Sequence, residues 1–256
     1  MLTSFTQASG YDALVLTVDT PVLGNRLNER KTPLVLPAGL HLANIESTSR
    51  SPQTERKPTF NRRLMDARTL HDAEAILSEA GGSTHSNSLT WDTTIPFLRK
   101  TAPGMKIILK GIMTPEDAVL SVEHGADAIV VSNHGGRQLD ETCATIEALP
   151  GIHAALATGS SESGKRNRIP VIFDGGVRTG ADVFKALALG ADFVLIGRPV
   201  LWGLGYKGEE GVETVINILE RELSRTMALA GVTKIDGINK EYIGVKNTGG
   251  YGVSKL

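Results

Sequence analysis

The sequence predicts a parallel α/β fold, and three observations carry that prediction: an internal repeat, short apolar runs ending in polar turns, and helix-start signals after those turns. Lys110-Gly-Ile-Met-Thr114-Pro-Glu-Asp117 aligns with Gly175-Gly-Val-Arg-Thr179-Gly-Ala-Asp182. Further on, Gly125-Ala-Asp127-Ala-Ile-Val-Val aligns with Gly190-Ala-Asp192-Phe-Val-Leu-Ile. Both pairs keep one spacing of 65 residues, from Gly111 to Gly176 and from Gly125 to Gly190. Such self-similarity marks a repeated supersecondary unit.

Each unit reads as strand, helix, strand. Lys106–Leu109 and Val171-Ile-Phe173 are short apolar runs, as expected of strands buried on both faces. Thr114 and Thr179 follow as N-caps, with Pro115 suited to a first helical turn. Gly125 and Gly190 suit helix ends, where a left-handed residue is needed. A third copy of the second strand occurs early, in Gly10-Tyr-Asp-Ala-Leu-Val-Leu-Thr17. Five strands are therefore expected: Leu14–Asp19, Lys106–Leu109, Ala128–Asn133, Pro170–Asp174 and Phe193–Gly197. Residues 27–88, rich in Ser, Thr, Pro, Arg and Asn, read as a long mobile loop holding one helix, Met65–Ala80. Helical spacing of Val212, Val215, Ile216, Leu219 and Leu223 predicts a last large helix over Gly208–Ala230. Five strands fit either an open α/β sheet or an eight-stranded TIM barrel without its first three units.

Bulk properties narrow the function. The chain has 256 residues, 41% hydrophobic, and a net charge of −1. That balance offers no electrostatic case for nucleic acid or an anionic membrane as partner. No apolar run approaches a membrane span, and the start, MLTSFTQASG, is too polar for a secretory signal. One cysteine, Cys143, cannot pair within the chain, which fits an intracellular setting. The last residues, Ser254-Lys255-Leu256, match the peroxisomal address read by an import receptor. They follow a Gly-rich stretch, so residues 246–256 are expected to be a flexible tail behind a single domain over 1–245.

In parallel α/β folds chemistry sits at the C-terminal strand ends. Here those ends carry Thr17 and Asp19, with Arg26 beyond; Lys110-Gly111; Ser132-Asn133-His134-Gly-Gly-Arg137; Asp174-Gly175-Gly176-Val-Arg178; and Gly197-Arg198. The last two loops suit a phosphate, because glycines let backbone N–H groups approach an anion and two arginines supply charge. His134 is flanked by glycine, and Asp19 on another strand end can orient it as a base. Arg137 and Arg26 can each grip a carboxylate in a fork. Lys110, at the end of an apolar strand, needs an anionic partner, and Asp19 or Asp174 would serve. The remaining histidines, His41, His71, His85, His124 and His153, read as structural. No metal is expected.

Together the runs Leu16–Gly24, Ile108–Gly111, Val131–Asp140, Phe173–Gly180 and Ile196–Pro199 resemble the FMN-dependent 2-hydroxy-acid oxidase and dehydrogenase family. The resemblance covers nearly the whole chain outside residues 27–88 and the tail. It implies the last five βα units of a TIM barrel, with three more upstream in family members. It implies oxidation of a 2-hydroxy acid to the 2-oxo acid with FMN, and the Ser254-Lys255-Leu256 end favours oxygen as the electron acceptor, giving hydrogen peroxide, over a cytochrome. On that basis His134 is the base, Asp19 its stabilising partner, and Arg137, helped by Arg26, the carboxylate clamp. Lys110 is the cation beside the flavin. Thr17 and Ser132 are ring contacts, and Asp174, Gly175, Gly176, Arg178, Gly197 and Arg198 form the ribityl and phosphate site. A homo-oligomer in peroxisomes is expected. The competing expectation is a non-catalytic or truncated form that cannot hold FMN alone.

Overall fold

The computed structural model describes residues 9–26, 63, 67–79, 85–158, 168–246 and 253–255. It divides into two compact units, one of Met1–Asp19 with Ser88–Leu256 and one of Thr20–Asn87. The smaller unit holds helix α1, Leu70–Glu79. Thr69 and Asp72 start it reciprocally: each backbone N–H donates to the other's side chain, at 3.2 and 3.1 Å. The helix expected over Met65–Ala80 is thus present in its later part, while residues 64–66 and 80 lie outside the described residues. So does most of the expected mobile loop.

The larger unit is built on a five-stranded parallel sheet of β1 (Ala13–Thr17), β2 (Lys106–Ile112), β3 (Ala128–Val131), β4 (Val171–Phe173) and β5 (Phe193–Val194). Its strand order is β1-β2-β3-β4-β5. Every crossover therefore steps the same way. With right-handed connections that places all the helices on one face, as in a barrel wall, whereas a doubly wound sheet reverses. The arc is the five-unit TIM-barrel segment that the family resemblance implied.

The helices are α2 (Trp91–Thr101), α3 (Pro115–Glu123), α4 (Thr145–Thr158), α5 (Gly180–Ala188) and α6 (Arg198–Ala230). Thr114 and Thr179 are the N-caps of α3 and α5, their hydroxyls accepting from the N–H of Asp117 and Asp182. Gly125 and Gly190 sit just past the helix ends at φ +81° and +106°. Against the sheet, Ile107, Leu109, Ile129, Val131, Val171 and Phe173 pack on Ile95, Leu98, Leu149, Ile152 and Ala186. That is the main core. The opposite face bears the row Thr17, Lys110, Val130, Ile172 and Phe193, neighbours in strand register.

Two expectations change most in extent. The last strand is Phe193–Val194 rather than Phe193–Gly197, because Gly197 already caps α6. The last helix begins at Arg198, ten residues before Gly208, and is interrupted at Lys207 and Gly208 by non-helical backbone. Pro199 at its first turn permits that early start. Val253–Lys255, within the expected tail, pairs antiparallel with Gly244–Lys246.

The repeated Gly-Ala-Asp has a structural cause at the N-terminal rim. Asp127 Oδ2 accepts from Ile107 N at 2.7 Å and from Arg99 Nη2 at 2.6 Å. Asp192 Oδ2 accepts from Val171 N at 2.7 Å and from Arg168 Nη2 at 2.7 Å. Each aspartate thus clips its own strand to the preceding one through a charged acceptor.

Candidate active site

At the opposite, C-terminal rim the strand ends gather the polar residues. Asp19 leaves β1, and its Oδ1 lies 3.2 Å from Nδ1 of His134. The approach depends on a bulge in β2: register jumps between Lys110 and Ile112. Gly111 takes up the extra residue at φ +112°, and a Cβ there would sit 2.7 Å from the Asp19 Cβ. Only glycine lets the two strand ends come this close.

Lys110 points from the same strand into the rim. Its Nζ donates to Ser132 Oγ at 2.9 Å and lies 3.5 Å from Asp174 Oδ2. Of the two acidic partners expected for Lys110, the structure selects Asp174. Ser132, fully buried, also accepts from His134 N at 3.2 Å. Asp19, His134, Ser132, Lys110 and Asp174 therefore form one continuous polar chain across four strand ends. Thr17, level with Lys110 in register, stands beside it.

The His134–Arg137 turn carries the imidazole part-exposed and Arg137 exposed. Gln138, to which the sequence assigned no role, donates to the Asp19 carbonyl at 3.2 Å. Nothing in its spacing marked it. Arg26 belongs to the Thr20–Asn87 unit and is partly buried there.

The β4 and β5 loops carry the glycines and arginines expected of a phosphate site. Gly175 and Gly176 both adopt positive φ, and Gly197 is the N-cap of α6. The Arg178 guanidinium stacks 5.0 Å over the Trp202 ring and donates to Val177 O at 2.7 Å. Arg198 instead reaches the β3 turn, donating to Gly135 O at 2.9 Å. Beneath this loop, burial raises the Asp182 carboxyl, but N–H donors of Arg178 and Thr179 and the Thr179 hydroxyl outweigh it and hold the group below its usual range.

Two buried oxygens at the rim have no hydrogen-bond partner: Asp174 Oδ1 and Asp19 Oδ2. An unpaired buried acceptor is costly and calls for a donor. A polyol chain leading to a phosphate would bring hydroxyls to Asp174 and charge to the arginines, so the residues present fit the ribityl phosphate of FMN.

Asp19, Ser132, His134, Lys110 and Asp174 thus share one rim of the arc with the glycine- and arginine-bearing loops after β4 and β5. The chain belongs to the FMN-dependent dehydrogenase family, whose model matches residues 2–245. It is 44% identical over 236 residues to L-lactate oxidase of Nostoc, covering 92% of this chain and 58% of that protein. It is 43% identical over 241 residues to 2-hydroxyacid oxidase of Dictyostelium discoideum, covering 94% and 54%. A peroxisomal (S)-2-hydroxyacid oxidase of Arabidopsis thaliana, GLO3, is 42% identical over 241 residues, covering 94% and 58%. Among solved structures, mandelate oxidase with (S)-mandelic acid superposes with TM-score 0.67 at 33% identity, covering 93% of this chain and 56% of that one. A mandelate oxidase bearing a monooxide FMN adduct gives 0.62 at 31%, covering 93% and 56%. The chain thus spans a little over half the length of the relatives it matches.

Proposed function

We propose that this chain carries the reacting rim of an FMN-dependent 2-hydroxy-acid oxidase, converting the hydroxy acid to the 2-oxo acid with oxygen as final acceptor and hydrogen peroxide as product. The Asp19–His134 contact, joined through Ser132 to Lys110 and Asp174, is the observation that carries this reading.

FMN, when bound, supplies the acceptor for two electrons. The chain's residues do the rest. His134 Nε2 takes a proton from the substrate, and Asp19 against Nδ1 stabilises the resulting imidazolium. Arg137 grips the substrate carboxylate in a fork. Lys110, fixed by Ser132 and Asp174, would place a cation beside the flavin ring. Thr17 and Ser132 would contact the ring. Asp174 would receive the ribityl hydroxyls, and Gly175, Gly176, Arg178, Gly197 and Arg198 would receive the phosphate.

The purified chain, supplied with FMN, is expected to show flavin absorbance that bleaches anaerobically with glycolate, lactate or mandelate. Retained flavin that none of these bleaches would sink the oxidase reading. A second reading, a chain that cannot hold FMN alone, is favoured by one observation: Val15 and Phe193, on the face away from the helices, are 54% and 61% exposed. A colourless chain after FMN addition would support it. The likeness to the peroxisomal GLO3 protein supports a peroxisomal location.

A further inference from the structure

We propose that Arg198 is a positioning residue for His134, tying the turn that carries the imidazole to the anion end of the rim. This rests on the reading of the rim as an FMN site with His134 as base. The turn after β3 is held from both sides. On one side Asp19 meets His134 Nδ1 at 3.2 Å and accepts from Gln138 Nε2 on its carbonyl at 3.2 Å. On the other, Arg198 Nη2 donates to Gly135 O at 2.9 Å, spanning 63 residues of sequence.

The turn needs such ties. His134 stands at φ +59°, in the left-handed region that a non-glycine residue occupies at a cost. Inside the turn, Ser132 Oγ accepts from His134 N, while the Asn133 carbonyl and side-chain oxygens both accept from Gly136 N, at 3.0 and 3.2 Å. Gly135, at φ +66°, lets the arginine lie against the backbone; a Cβ there would come within 3.1 Å of Arg198 Nη2.

A guanidinium has five N–H donors in a rigid fork, and the Gly135 carbonyl takes one of them. The others, with the charge, are left to serve an anion bound between the β4 and β5 loops. An anion held there restrains the same planar group that holds the turn. Filling the anion site and steadying the imidazole are therefore one event. Lysine keeps the charge but has no fork to serve both partners.

The test uses the chain without flavin, and hydrogen exchange read at the 134–137 amides. Arg198→Lys and Arg198→Met should each speed exchange there about fivefold, the loss of one ordinary hydrogen bond. Amides of Val131 and Phe173 should not change, which shows that the fold is intact. Saturating inorganic phosphate should slow exchange of the turn in the wild-type chain and leave Arg198→Lys unaffected. Equal exchange in wild type and both variants overturns the proposal. So does a wild-type turn indifferent to phosphate, or one slowed equally in Arg198→Lys. Failure of the FMN reading shows separately, as absence of flavin absorbance.

Discussion

Asp19 Oδ1 and His134 Nδ1 lie 3.2 Å apart although 115 residues of chain separate them. Two neighbouring units of the arc, and all of the Thr20–Asn87 unit, lie between them in sequence. The contact is made by strand order and by the Gly111 bulge, not by local chain geometry.

From that contact follows the first expectation. His134→Gln should abolish turnover while FMN stays bound, since the base is lost and the phosphate loops are not. Asp19→Asn should lower kcat by about a hundredfold or more, the usual scale of positioned proton transfer. Steady-state kinetics beside the flavin absorbance of each variant separate the cases. Loss of flavin from His134→Gln would assign the histidine to structure.

Arg137→Lys should raise the substrate KM and lower kcat, because a point charge cannot reproduce the bidentate fork. An unchanged KM would remove Arg137 from the clamp.

Asp127 makes a pH prediction at the stability rim. Burial raises its carboxyl, but the Ile107 N–H, the Arg99 guanidinium and Lys106 more than offset this and hold it below its usual 3.8. The folded value is thus lower than the unfolded one. Its stabilisation is fully present above the unfolded value and disappears as pH falls below about 4. Asp127→Asn should cost about 2 kcal/mol at neutral pH, on the scale of hydrogen bonds to charged groups. It should also flatten the acid limb of a melting-temperature profile. An unchanged profile would mean that the aspartate clip contributes nothing.

Much of this was legible in the sequence. Thr114 and Thr179 announced their helices because a cap is local chemistry, one hydroxyl reaching three residues on. The strands were legible because buried parallel strands are continuous apolar runs. Partners across the rim were legible only as alternatives: Lys110 could have met Asp19 or Asp174, and packing made the choice. The Gly111 bulge was hidden because a glycine after a strand reads equally as a turn. The turning of Arg198 to Gly135 was hidden because a long side chain's direction depends on what surrounds it. Gly-Ala-Asp was visible as a repeat, but the backbone N–H that each aspartate accepts belongs to the neighbouring strand, which no spacing reveals.

Val15 and Phe193 leave an apolar sheet face open, and open apolar faces associate. The chain alone should run heavier than 27.3 kDa in light scattering. Phe193→Glu, or the N-terminal half of a full-length relative supplied alongside, should lower that mass. A monodisperse monomer of the wild-type chain would refute this.

The stacking of Arg178 on Trp202 gives the molecule a built-in optical gauge. There are two tryptophans in the chain, and Trp91 lies against His124 instead, ring centroids 5.6 Å apart. With Trp91→Phe, the remaining indole emits from beside the guanidinium assigned to the phosphate. Any anion that draws Arg178 off the ring changes that indole's surroundings, and so its emission. Occupancy of the anion loops can then be followed by fluorescence with colourless phosphate esters, without substrate, turnover or flavin colour.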